Sequence, residues 1–208
     1  MNIKNTNLVI IGAGGFGVEV YGIIDKDLYN VIGFFDDKNN IKNLPLKIIG
    51  HEKDIVSLSK NHKIKYGVIA IGDSHKRFEI HNLLMKSEIN FPNVIDSSSR
   101  IVNSEIGIGS IIYPFSVIMS KCLIGDFTLI NSGVTIGHDT RIGDYCNVNP
   151  GVNIAGKVSI GNRTLIGIGS IIREGVNIGN DVIVGAGSLV LNDVKDKSTV
   201  FGSPARMK

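Results

Sequence analysis

The sequence predicts two units in series, an α/β layer followed by a parallel β-helix, and three observations carry the prediction. Ile or Val stands at every sixth residue from Ile106 to Val190, fifteen times without a break. Ahead of that run, strand-like and helix-like segments alternate. Between the first strand and the first helix lies a glycine-rich turn, Gly12-Ala13-Gly14-Gly15-Phe16-Gly17.

The six-residue recurrence governs residues 98–208. Ile and Val make up roughly a quarter of the chain, so chance would give such a run on the order of once in a billion trials, and a repeat architecture is the first reading. A second column agrees: four residues after each Ile or Val come only Ser, Thr, Cys or Val, from Ser110 to Val194. Positions i+4 and i+6 share parity, so both point inward from one short strand. The turn falls between successive pairs, at i+1 to i+3, where Gly, Asn and Asp are frequent and positive φ is expected. Three sides make one coil, and the run gives about five coils stacked roughly 4.8 Å apart.

Residues 1–97 read as a Rossmann-like parallel sheet. Strands are expected at Leu8–Ile11, Val31–Phe35, Tyr66–Ile71 and Phe91–Ile95, with helices at Gly15–Ile24, Asp54–Ser59 and His75–Met85. Their alternation implies parallel strands. The glycine turn fits G-x-G-x-x-G, and Asp36-Asp37 follows about 20 residues on, at the end of the second strand. That pattern suits a phosphate resting on helix N-terminal N–H groups, with the carboxylates near a ribose or sugar hydroxyl. A tight turn that merely packs well is the other reading. Only about 95 residues precede the β-helix, too few for the second mononucleotide half that would hold a nicotinamide, which favours a nucleotide-sugar over NAD. Asp73 and Arg77 open a helix; Arg77 reads equally as a nucleotide contact or as a solvated helix residue.

Composition excludes several classes. A hydrophobic content of 43% with 25 glycines suits a globular chain with many tight turns. The net charge of +3 is mild and scattered, which speaks against nucleic acid. No apolar run is long enough to span a membrane, and Leu8–Ile11 is too short for a signal peptide. Cys122 and Cys146 form no metal spacing and point to a reducing compartment, the cytoplasm. His51, His62, His75 and His81 have no ligand spacing either, and no metal is required.

Read together, Gly12 to Gly17, Asp36-Asp37, Ile71-Gly72-Asp73 with Arg77, Asn131, Ile136-Gly137-His138-Asp139, Gly156, Val184-Gly185-Ala186-Gly187-Ser188 and Gly202-Ser203-Pro204-Ala205-Arg206 resemble one bacterial family. It is the hexapeptide-repeat sugar acetyltransferases acting on nucleotide-linked 4-amino sugars, with the related sialic acid O-acetyltransferases. The resemblance implies a left-handed β-helix, where crossover rules alone favour the right hand. It also implies acetyl-CoA as co-substrate and a homotrimer with the coenzyme along the wall between neighbours. It maps the general base onto His138, the acid after it onto Asp139, and a residue near that histidine onto Asn131. Coenzyme contacts map onto Asn147, Gly156, Ile168 and Ala186. Substrate contacts map onto Gly12, Gly14, Gly15, Phe16, Asp36, Asp37, Gly72, Asp73 and Arg77. Asn147 stands where some relatives carry histidine, and Phe16 where many place one in the glycine loop.

His138 occupies an outward corner at i+2, a place that otherwise suits a solvated turn residue. A base is needed because an ammonium or hydroxyl attacks a thioester only after losing its proton. Asp139 reads either as the group that orients the imidazole or as a turn former. Since strand neighbours face opposite ways, their pairing requires corner geometry or a partner chain. Cys122 and Cys146 sit at the small inward position and read as core fillers, which leaves direct attack on acetyl-CoA. Three functions are expected in descending order: an N-acetyltransferase on a nucleotide-linked amino sugar, a sialic acid O-acetyltransferase, and a non-catalytic binding module.

Overall fold

The structure is a computed structural model that describes residues 6–38, 41–85 and 87–208. The chain divides into two compact units, the first ending at Val94 and the second running from Ile95 to Lys208.

The first unit is a four-stranded parallel sheet. Strand β1 (Thr6–Ile11) leads through the glycine turn into α1 (Gly15–Ile23), followed by β2 (Tyr29–Phe35), β3 (Ile48–Gly50), a single 3-10 turn at Glu52–Asp54, α2 (Ile55–Asn61), β4 (Tyr66–Ile69) and α3 (Ser74–Leu84). The strand order is β3-β2-β1-β4. Leu8 to Ile11, Phe34, Phe35, Val68 and Ile69 are buried, as a central strand covered on both faces requires. Strand β3 was not expected: three residues behind Pro45 are too few to show a period. The expected strand Phe91–Ile95 is corrected. Pro92 has no N–H to give a ladder, and only Val94–Ile95 is extended, within the sheet that holds Ile111–Ile112.

The second unit is a left-handed parallel β-helix with three faces. The first face stacks five strands from Glu105–Ile106 to Asn177–Ile178, through Leu123–Ile124, Arg141–Ile142 and Ser159–Ile160. The second includes Leu129–Ile130, Asn147–Val148 and Leu165–Ile166, and ends in the antiparallel pair Thr199–Phe201 and Arg206–Met207. The third includes Val117–Ile118, Thr135–Ile136, Asn153–Ile154 and Ile171–Ile172. The repeating Ile and Val side chains form one continuous core with the inward small residues.

Two details of the repeat differ from expectation. Positive φ falls at i+3 alone, and often on residues other than glycine: Phe115, Lys121, Phe127, Asp139, Tyr145, Lys157, Arg163 and Asp181. The glycines at i+1 serve close approach of successive coils instead. A Cβ on Gly125 would lie 2.5 Å from the carbonyl carbon of Gly143. The inward Ser, Thr and Cys also do more than fill space. Ser110 Oγ donates to the Gly125 carbonyl at 2.9 Å and accepts from Thr128 N–H at 3.0 Å, and other inward hydroxyls repeat this pattern between coils.

Candidate active site

At the carboxyl ends of β1, β2, β3 and β4 the first unit gathers most of the residues expected to bind substrate. Gly12 takes φ +102 and abuts the Ala70 carbonyl, while a Cβ on Gly17 would collide with the Gly12 carbonyl, so these two shape the turn. Gly14 and Gly15 face open space, with nothing within 4 Å of an added Cβ. Helix α1 starts with no side-chain cap and no acid in its first turn, the arrangement that accepts an anion. Asp36 braces the turn, its Oδ2 accepting from Ala13 N–H at 2.7 Å and its Oδ1 from Lys38 N–H at 2.8 Å. Asp37 is exposed, with its Oδ1 3.1 Å from His51 Nε2; His51 Nδ1 accepts from Lys53 N–H, which places the ring proton on Nε2.

Beyond β4, Gly72 is open and Asp73 caps α3, accepting from Lys76 N–H at 2.8 Å. Arg77 is corrected on both readings. It is fully buried, with Nη1 donating to the Ile71 and Gly72 carbonyls at 2.6 and 3.3 Å, so it fixes the loop from behind. His51 and the buried Glu52, paired with Lys76 at 3.1 Å, were missed because they follow the unrecognised β3. Burial pushes the Glu52 carboxyl above its ordinary range despite Lys76.

In the second unit, His138 and Asp139 stand on the edge between the third and first faces. His138 Nδ1 lies 2.7 Å from Asp139 Oδ2. The corner geometry that this pairing needs is supplied by Asp139 itself, whose φ of +58 turns its side chain alongside its neighbour's. The hydrogen bond from His138 holds the Asp139 carboxyl below the usual carboxylate range, helped by Lys121 and Lys157. With the carboxylate on Nδ1–H, Nε2 keeps its lone pair for a proton. Gly156 lies one coil on, and a Cβ there would sit 2.8 Å from His138 Nε2 and 2.9 Å from Cε1. The glycine makes room for the ring.

The remaining expected residues lie elsewhere. Ile168, Ala186 and Asn131 are on the edge between the second and third faces, and Asn147 is on the second face. One chain therefore does not bring Asn131 to His138, and Asn131 Oδ1 accepts from Ser132 N–H at 3.0 Å. Both cysteines are buried, with Cys122 Sγ donating to the Gly137 carbonyl at 3.1 Å and Cys146 Sγ to the Gly161 carbonyl at 3.0 Å. Among the described residues no group of three or more His, Cys, Asp or Glu could hold a metal ion, and no helix is long and apolar enough to cross a membrane.

A left-handed hexapeptide β-helix carrying an outward histidine–carboxylate pair, behind a glycine-turn α/β unit, defines a two-part acyltransferase. Residues 7–84 match the PglD N-terminal domain, and residues 121–156 and 157–192 match the bacterial transferase hexapeptide of six repeats. No curated protein matches the chain. Among solved structures, WeeI from Acinetobacter baumannii is 31% identical over 97% of this chain and 99% of its own, with a TM-score of 0.85. The acetyltransferase domain of PglB from Neisseria gonorrhoeae, in complex with acetyl coenzyme A, is 27% identical over 98% and 100%, at 0.89. A perosamine N-acetyltransferase from Caulobacter crescentus, with one histidine replaced by asparagine and in complex with CoA and GDP-perosamine, is 28% identical over 97% and 96%, at 0.87. The chain belongs to the hexapeptide-repeat bacterial sugar acetyltransferases with a PglD-type N-terminal domain.

Proposed function

We propose that this acetyl-CoA-dependent sugar acetyltransferase acetylates the 4-amino group of a nucleotide-linked sugar, with His138 as general base. The observation that carries the reading is the His138–Asp139 pair at 2.7 Å over the bare surface of Gly156. The neutral amine attacks the thioester carbonyl, His138 Nε2 takes the amine's proton, and the coenzyme leaves as a thiolate that receives a proton in turn. Asp139 holds the tautomer and stabilises the imidazolium. A turn N–H on this edge serves the oxyanion. The buried cysteines, already donating to carbonyls, take no part. The first unit holds the nucleotide, with its phosphates at Gly14, Gly15 and the start of α1, and the ribose or sugar near Asp37. Perosamine N-acetyltransferase, which binds GDP-perosamine, supports this substrate class.

The working form in this proposal is a homotrimer with sites shared between chains. His138, Asp139 and Gly156 stand on one edge of the prism, whereas Asn147, Ile168 and Ala186 lie on or beside another. Ile168, Ile171 and Ile183 expose about half their surface at that second edge, an apolar strip that a neighbour would cover. Three copies about one axis set the first edge of each chain against the second edge of the next and close the assembly. The co-substrate pair places the reaction in the cytoplasm.

The test is a panel of nucleotide-linked amino sugars and sialic acids with acetyl-CoA, followed by thiol release, for the native enzyme and His138→Asn. Turnover of an amino sugar, lowered ~100-fold or more by the substitution, is expected. Turnover of sialic acid alone would transfer the reading to O-acetylation.

A further inference from the structure

The proposed base carries an electrostatic problem. An ionised carboxylate 2.7 Å from Nδ1 stabilises the imidazolium, yet a general base must arrive unprotonated. The corner column that holds Asp139 contains an answer. Positions i+3 of successive coils on this edge are Lys121, Asp139, Lys157 and Gly175. The first three all adopt positive φ, near +60, so their side chains leave the edge in the same sense, one coil apart. The coils are bonded directly here: Asp139 N–H donates to the Ser120 carbonyl at 3.0 Å and Lys157 N–H to the His138 carbonyl at 2.8 Å.

The two lysines are not equivalent. Lys157 Nζ lies 3.4 Å from Glu174 Oε1, so part of its charge is neutralised on the far side. Lys121 and Asp139 line one polar cavity of about 460 Å³ on the first face, together with Glu105 and Arg141. These are the charged groups around the pair: Lys121 below, Lys157 with Glu174 above, Glu105 and Arg141 on the adjoining face. Ser120 and Gly156, in the column of His138, bring no charge. Lys157 shares its charge with Glu174, whereas Lys121 stands in the same cavity as Asp139 and acts on its carboxylate more strongly than Lys157 does.

Building on the general-base reading above, we propose that Lys121 is a positioning residue for acetyl transfer. Its ammonium offsets part of the charge of Asp139, so that carboxylate orients the imidazole of His138 while Nε2 stays free to accept a proton.

The test compares Lys121→Met with Lys121→Arg. Methionine keeps the length of the side chain and a non-glycine residue at positive φ, and arginine keeps the charge. In Lys121→Met the acid limb of the kcat/KM profile is expected to move to higher pH by about half a unit to one unit, a roughly 3- to 10-fold loss near pH 6 that fades above pH 8. Lys121→Arg restores the native profile, and 0.5 M salt narrows the difference. An NMR titration of the His138 ring in substrate-free protein, assigned by loss of the signal in His138→Asn, is expected to move with the kinetics. A uniform loss at every pH, a rise in KM with the limb unmoved, or failure of arginine to rescue would each overturn the proposal. The two readings fail separately: if His138 is not the base, His138→Asn keeps its rate, and if Lys121 does not act on the pair, the ring titration stays where it was.

Discussion

Gly156→Ala separates catalytic geometry from stability. A Cβ at Gly156 would stand 2.8 Å from His138 Nε2, 2.9 Å from Cε1 and 3.2 Å from Cδ2. Ordinary contact begins near 3.4 Å, so the ring must retreat by roughly 0.6 Å or more. The 2.7 Å bond to Asp139 would then lengthen to the limit of a hydrogen bond or break. Misplacing a reacting group by about 1 Å costs on the order of 100-fold, and losing a general base 100- to 10,000-fold. A drop of ~100-fold in kcat is therefore expected, equivalent to about 2.7 kcal/mol of transition-state stabilisation.

Folding should respond in the opposite sense. Gly156 is absent from the positive-φ positions, so alanine fits its backbone and reduces the freedom of the unfolded chain, for a gain of ~0.4–1 kcal/mol. The assay is steady-state thiol release with KM for each substrate, alongside thermal melting. If the glycine serves only to let the coenzyme approach, KM for acetyl-CoA rises while kcat stays within about threefold, and the seating argument fails. Adding Gly156→Ala to His138→Asn should cost nothing further, since both act through one group.

Cys122→Ser and Cys146→Ser should retain activity and change stability by no more than ~0.5 kcal/mol, because Ser110 and Ser170 already make the same inward bond to a carbonyl in the next coil; melting curves and turnover decide this. Backbone N–H bonds from Asn177 and Asn180 hold the carboxyls of Asp193 and Asp196 below their ordinary range. Their stabilisation is thus present above the unfolded carboxylate value and disappears as pH falls through the folded one, so hydrogen exchange should show the last coil losing protection first below about pH 4. An Asp193→Asn, Asp196→Asn double variant should flatten that dependence. For shared sites, His138→Asn chains mixed with Ala186→Trp chains should recover part of the activity that each lacks, and no recovery in verified mixed trimers would place each site within one chain. Ala186 is the better partner than Gly156, whose replacement disturbs His138 in its own chain.

The repeat was legible because its signal is redundant: fifteen Ile or Val in register outweigh any single ambiguous residue, and the core follows them. The glycine turn was legible because Gly12 and Gly17 each have a steric reason, while Gly14 and Gly15 leave the start of the helix bare. What the sequence concealed depends on long-range placement. Nothing local distinguishes the buried Arg77 from a solvated helix residue, since only the fold brings the Ile71 and Gly72 carbonyls to its guanidinium. His51 and Glu52 follow a three-residue strand with no period to read. Glycine at i+1 and positive φ at i+3 were merged because both positions accept glycine, and the difference appears only when successive coils are stacked.

The three edges of the prism divide the work of the β-helix. Along the edge from the first to the second face, the N–H groups of Ile108, Asp126, Asp144, Asn162 and Asn180 each donate to an Asp or Asn Oδ1 in the next coil, at 2.8–2.9 Å. Phe127 stacks on Tyr145, and Arg163 forms a two-bond fork with Asp181, on the same edge. This ladder of side chains satisfies the backbone of the turn. The corresponding positions on the other two edges are Ser120, His138, Gly156 and Glu174, and Pro114, Ser132, Pro150, Ile168 and Ala186. Before Asn192, which ends the first of these columns, neither contains an Asp or Asn, so no such ladder forms over those coils, and both edges carry residues expected of the site. A fold in which every turn needs the same backbone can thus concentrate its structural chemistry on one edge and leave two open for catalysis.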